Sequence, residues 1–178
     1  MISATVILIL TILISYLGLK SDLVKYSLCL WPNKLFHIWR PFTYSFVHNS
    51  WSHLIGNTFF YCLGFLGFFQ QFSNIQFLQF YFLSTFVSII PHMLLKINKE
   101  FSTVSGNSAI GFSIFFAMIA LDPNKIWGLF GWGLPAYYFG IAHLILSLID
   151  SKLNKKISLT SHIIGMLVGI LYIIYFIR

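Results

Sequence analysis

The sequence predicts an all-α membrane protein of six transmembrane helices, and three observations carry that prediction. Hydrophobic residues make up 58% of the 178-residue chain and charged residues only 8%, against about 25% charged in ordinary globular chains. A soluble domain of this size cannot hide so much apolar surface. Six separate apolar segments follow one another, each judged against the roughly 20 residues that a helix needs to span a hydrocarbon core. No internal repeat or low-complexity linker divides them, so residues 1–178 read as a single integral membrane domain, multi-pass in topology.

The first segment, Ile2–Leu19, lacks a basic flank before it. It ends in Gly18-Leu19-Lys20 rather than at a small-residue cleavage site, so it reads as a retained helix and not a signal peptide. The connection from Lys20 to about Trp51 is the longest. It carries Tyr26, Trp31, Trp39, Tyr44 and Trp51 among Lys20, Lys25, Lys34 and Arg40. Amphipathic aromatics favour the membrane interface, so this connection is expected to lie in or on it. Ser52–Phe69 and Ile75–Leu95 are the second and third segments. The fourth, Ser108–Leu121, is short, as for a helix that starts part-way into the bilayer. Such a start is tolerated only where protein or a water-filled cavity surrounds it. Leu134–Ile149 and Leu159–Ile177 complete the set.

The net charge is +7, with four acidic residues. In a membrane chain that balance reflects topology and lipid headgroups, and no aromatic-interleaved basic stretch points to nucleic acid. Lys20, Lys25, Lys34, Arg40, Lys96, Lys99, Lys152, Lys155 and Lys156 follow the first, third and fifth segments. Only Lys125 and Arg178 fall on the opposite side. The positive-inside rule would put the first group in the cytoplasm and the N-terminus outside. Cys29 and Cys62 lack CxxC spacing, so neither a disulfide nor a metal site is indicated, and Cys62 reads as a plain helix residue. There is no HExxH, and the acids (Asp22, Glu100, Asp122, Asp150) lie at helix ends or in loops, so no metal is expected.

Polar residues inside apolar segments are costly and mark candidate sites. His53 and Asn57 are four apart and share a helix face. Two donors converging there suit an oxyanion, and a pair that merely fixes helix packing is an equal reading. Ser108 follows Gly106-Asn107 and opens the fourth segment, where a serine reads as an N-cap or as a nucleophile. Ser102, Thr103, Ser105 and Ser113 are its neighbours and rivals. His162 lies three residues before Gly165, and Gly165 with Gly169 forms a small-xxx-small face that lets helices approach closely. A Ser108–His162 contact would make one the nucleophile and the other its base. An interfacial His162 facing headgroups is the alternative. His48 and His37 are weaker candidates, and His92 and His143 read as structural.

Taken in order, these pieces resemble the rhomboid family of intramembrane serine proteases, over about Trp39 to Gly169. Trp39-Arg40 is similar to the family's WR pair, and His48 follows eight residues after Arg40. His53-Leu-Ile-Gly-Asn57 resembles its HxxxN, Gly106-Asn107-Ser108 its GxS, and His162-Ile-Ile-Gly165-Met-Leu-Val-Gly169 its HxxGxxxG. Ala109 stands where the family often has Gly, and Phe112 where it often has Tyr. Ser105-Gly106 is also similar to the family's SG dipeptide. The resemblance implies a six-helix rhomboid-like bundle that hydrolyses peptide bonds through an acyl-enzyme. Ser108 would be nucleophile and His162 base in a dyad, with His53 and Asn57 as oxyanion donors. Trp39, Arg40, His48, Gly106, Phe112, Gly165 and Gly169 would support them. It implies single-span membrane proteins as substrates, no cofactor, the plasma membrane as location, and a site opening away from the cytoplasm. A catalytically inactive relative that binds or remodels membrane helices is the alternative. A small transporter is disfavoured, since inverted repeats and paired broken helices are lacking.

Overall fold

The computed structural model describes residues 2–31, 37–65, 67–95, 103–129, 132–153 and 159–177. Ser102, Glu100, Lys34, Lys96, Lys99, Lys155, Lys156 and Arg178, named above, lie outside them. Helices dominate: α1 (Ile2–Lys20), α2 (Asp22–Leu28), α3 (Arg40–Thr43), α4 (Trp51–Phe65), α5 (Asn74–Leu95), α6 (Ser108–Leu121), α7 (Ala136–Leu153) and α8 (Leu159–Phe176). Three of them, at Ile2–Lys20, Asn74–Leu94 and Leu159–Phe176, are long and apolar enough to cross a membrane, and Ser108–Leu121 is a shorter apolar helix.

The helices expose many large apolar residues, as suits a lipid surround, and on α1 the buried face is mostly small or polar. On α1, Ala4, Ile7, Thr11, Ser15 and Gly18 recur every three or four residues and form the buried face. Val6, Leu10, Leu13 and Leu17 on other faces are exposed. Without a hydrophobic drive between helices in lipid, close packing and hydrogen bonds hold them together. Tyr61 donates to the Ala4 carbonyl at 3.2 Å, Tyr172 to Gln76 at 3.0 Å, and Ser161 to Ser88 at 3.0 Å.

The central helix is α6, apolar on all sides and buried along most of its length. Its 14 residues span about 21 Å at about 1.5 Å per residue, short of a hydrocarbon core of about 30 Å. It lies closest to α8. A Cβ on Gly165 would overlap the Ala109 carbonyl, and one on Gly169 the Ser113 carbonyl. Only hydrogen at these two positions allows so near an approach. Ser113 Oγ reaches both the Gly165 carbonyl, at 2.8 Å, and that of Ala109, at 3.0 Å.

Three segments differ from expectation. The second helix ends at Phe65, not Phe69, which lies in a 3-10 turn at Phe69–Gln71. The Phe69 ring folds back over Gly64, where a Cβ would come within 2.6 Å of it. The turn joins a buried aromatic cluster with Tyr61, Phe68, Phe72, Phe77 and Phe80. The fold is also not purely helical. Ile126–Leu129 (β1) and Trp132–Pro135 (β2) pair antiparallel, with Ile126 opposite Pro135 and Leu129 opposite Trp132. The fifth helix therefore starts at Ala136, after Leu134 and Pro135 have served the hairpin, and runs on to Leu153.

The long first connection is ordered over much of its length. Ser21 caps α2, its Oγ accepting from Val24 N–H at 3.4 Å. Leu30 pairs with Val104 in an isolated antiparallel bridge, and Gly106 N–H donates to the Tyr44 carbonyl at 3.0 Å. Tyr44 in turn donates to the Thr85 carbonyl on α5 at 2.8 Å. The connection thus holds the strand-like run 104–106 that delivers Ser108.

Candidate active site

Ser108 is the first residue of α6 and His162 lies in the first turn of α8. Both are half-buried. His162 Nε2 stands 3.1 Å from Ser108 Oγ across 54 residues of chain. The Gly165–Gly169 face produces this meeting, since it lets α8 lie against α6 one turn below His162. The Phe112 ring, one turn after Ser108, stacks on His162 with centroids 4.2 Å apart and planes at 18°. Ser105 Oγ is buried and has no hydrogen-bond partner among the described residues. Ser113 is committed to the two helix carbonyls. Of these described serines, only Ser108 has a histidine nitrogen within hydrogen-bond distance.

Gly106 has φ +96°, a conformation that favours glycine. A Cβ there would come within 2.5 Å of His53 Cε1 and 2.9 Å of its Nε2. The His53 ring therefore rests on the backbone two residues before Ser108. It also meets His48 edge to face, with centroids 4.9 Å apart.

His48 is fully buried and lies between the turn at Tyr44–Phe46 and α4. Ser15 Oγ on α1 is 2.7 Å from its Nδ1, and Asn57 Nδ2 and Asn107 Oδ1 are each 3.0 Å from its Nε2. Ser15 donates its proton to the Phe46 carbonyl at 2.8 Å. It must then accept from Nδ1–H of His48, which leaves Nε2 bare to accept from Asn57, while Asn107 Oδ1, itself an acceptor, lies beside that nitrogen without bonding to the neutral ring. One N–H of the Asn57 amide is spent on His48 and the other remains. Burial, helped by His53, pushes His48 down to about 3, opposed by the Asn107 oxygen, which would accept from a protonated ring. The ring is neutral at pH 7. Read from the sequence as a weak candidate, His48 proves to be the hub that joins α1, α4 and the residue before Ser108. Ser15, a polar residue well inside an apolar helix, was the available signal.

Two residues outside the sequence-predicted set also reach the site. His143 on α7 stacks on the other face of Phe112, centroids 4.4 Å apart, between Phe60 and Phe115. Ser147, one turn later, is buried with its Oγ 3.0 Å from His162 Nδ1. Both were masked by their setting, since a lone His or Ser in an apolar helix is more often packing than site. Trp39 and Arg40 are not at Ser108. Arg40 Nη1 donates to the carbonyls of Tyr26 and Cys29, at 2.8 and 2.6 Å, and Trp39 Nε1 donates to that of Ser27 at 3.2 Å. They bind the end of α2 to α3. Among the described residues, no three His, Cys, Asp or Glu side chains gather as a metal site would require.

A family model described as the Rhomboid domain matches residues 35–178. The chain belongs to the rhomboid family. Rhomboid proteins are helical membrane bundles, mostly intramembrane serine proteases with inactive relatives, so the protein is an integral membrane protein. No curated protein matches the rhomboid chain.

Proposed function

We propose that this rhomboid protein is an intramembrane serine endopeptidase in which Ser108 is the nucleophile and His162 the base. One observation carries the reading: the 3.1 Å approach of His162 Nε2 to Ser108 Oγ. A hydroxyl is a weak nucleophile until a base takes its proton. As Oγ bonds to the scissile carbonyl carbon, the proton passes to Nε2. The carbonyl oxygen becomes an oxyanion facing the His53 ring and the remaining Asn57 N–H, donors suited to that charge. When the tetrahedral species collapses, the C–N bond breaks and His162 returns the proton to the leaving amine. Water, deprotonated by His162, then releases the acyl group. No metal or cofactor enters these steps.

The substrates are single-span membrane proteins cut near their helix ends, in a six-span bundle that forms one domain in the plasma membrane. Gly106, Gly165 and Gly169 allow the approaches, Phe112 holds the plane of the His162 ring, His48 fixes Asn57, and Trp39 with Arg40 braces the first connection. Ala109 and Phe112, where related chains often have Gly and Tyr, favour a second reading: an inactive relative that binds membrane helices.

Labelling of the purified protein with a fluorophosphonate probe separates the two. Wild type and Ser105→Ala should label, while Ser108→Ala and His162→Ala should not. Loss of labelling in Ser105→Ala with retention in Ser108→Ala would move the nucleophile. A folded wild type that never labels would favour the helix-binding reading.

A further inference from the structure

Ser147 is 4% exposed on α7, facing the ring of His162 on α8. Buried hydroxyls on these helices commonly turn back to a carbonyl three or four residues earlier. Thr11 donates to Ile7, Thr85 to Tyr81, Ser88 to Thr85 and Ser113 to Ala109. Ser147 reaches instead to another helix, where its Oγ lies 3.0 Å from Nδ1 of His162.

Resting on the reading of Ser108 and His162 as nucleophile and base, we propose that Ser147 is a positioning residue whose oxygen accepts Nδ1–H of His162 and so keeps Nε2 bare toward Ser108. A neutral imidazole carries one proton. On Nε2 that proton would point at Ser108 Oγ, and the ring could not act as base. Held on Nδ1, it leaves the Nε2 lone pair on the serine. The arrangement matters again after proton transfer, when both ring nitrogens are donors. Phe112 covers a face of the ring and offers Nδ1–H no acceptor. Ser147 supplies one. A buried neutral hydroxyl thus takes the orienting place that a carboxylate holds in a Ser-His-Asp triad.

The test uses the full chain in detergent micelles with ring-15N histidine, the His162 signals being assigned by their loss in His162→Gln. In wild type, His162 should show a protonated Nδ1 and a bare Nε2. Ser147→Ala should populate the Nε2–H tautomer, and Ser147→Thr should restore the wild-type pattern. Inactivation by a fluorophosphonate gives a second readout. The maximal rate should fall about tenfold or more in Ser147→Ala, as expected for a lost buried acceptor. The half-saturating probe concentration should stay within about twofold, since the resting site still binds. The Thr variant should recover most of the rate. A wild-type ring protonated on Nε2, or a tautomer unchanged in Ser147→Ala, overturns the proposal. If wild type shows no labelling at all, the protease reading fails by itself. The nitrogen spectra then decide alone: a tautomer change in Ser147→Ala upholds the role of Ser147, and no change overturns it.

Discussion

Gly106 combines two demands in one position: φ of +96° and a His53 ring packed where a side chain would begin. Alanine would meet both the backbone strain and the ring. A strained backbone position costs about 1–3 kcal/mol. Gly106→Ala should lower the thermal midpoint and slow fluorophosphonate labelling of Ser108 by displacing His53. A variant that labels at the wild-type rate would show that His53 has no fixed position to lose. At this scale the sequence was partly legible. Gly106, Ser108 and His162 stand out because small or polar residues interrupt apolar runs. Ser147 and His143 do not stand out. What distinguishes them is a partner on another helix, and a single serine or histidine in an apolar stretch carries no mark of who its partner is. His48 was undervalued for the same reason, as its importance lies in Ser15, Asn57 and Asn107.

Among the elements, the α6–α8 pair is the part that tolerates least. Gly165 and Gly169 lie directly on carbonyls of α6, and backbone cannot swing aside as a flexible side chain can. Gly169→Leu should push the helices apart, at a cost of about 1–3 kcal/mol for overpacking, and should lengthen the His162–Ser108 separation with it. Loss of both folded stability and probe labelling, measured on the same sample, is the expected result. Retained labelling would mean that the pair is held from elsewhere. The element scale was the most readable in the sequence. The fourth segment has the bounds Ser108–Leu121 in both reading and structure, because an unbroken apolar run ends there on Asp122-Pro123. The hairpin at 126–135 was not readable. Its Trp, Gly and Leu residues continue the apolar composition of the helices around it, and strand pairing adds no contrast of its own. The early end of α4 was hidden likewise, since the Phe run continues through the turn.

For the whole molecule, His48 links pH to stability. It lies outside the spanning helices, bonds to α1 and to α4, and faces the residue before α6. Folded, it is held down to about 3, against about 6.5 in an unfolded chain. Between those values the unfolded state binds the extra proton, so stability rises with pH. The contribution is fully present above pH 6.5 and is lost as pH falls toward 3. At pH 5 the loss is about 2 kcal/mol, from roughly 1.36 kcal/mol per pH unit. The thermal midpoint in detergent should drop on acidification from pH 7.5 to 5, and less steeply in His48→Gln. Equal slopes would remove His48 as the cause.

The separation of 54 positions between Ser108 and His162 bears on how the protein is made. A chain emerging from the ribosome presents α6, and with it the serine, well before α8 exists. Domains assemble in synthesis order, and contacts distant in sequence form late. During that interval Ser108 lacks the histidine that the proposed reading makes its base. On the proposed reading, the newborn protein is inert toward the membrane segments around it until α8 has docked.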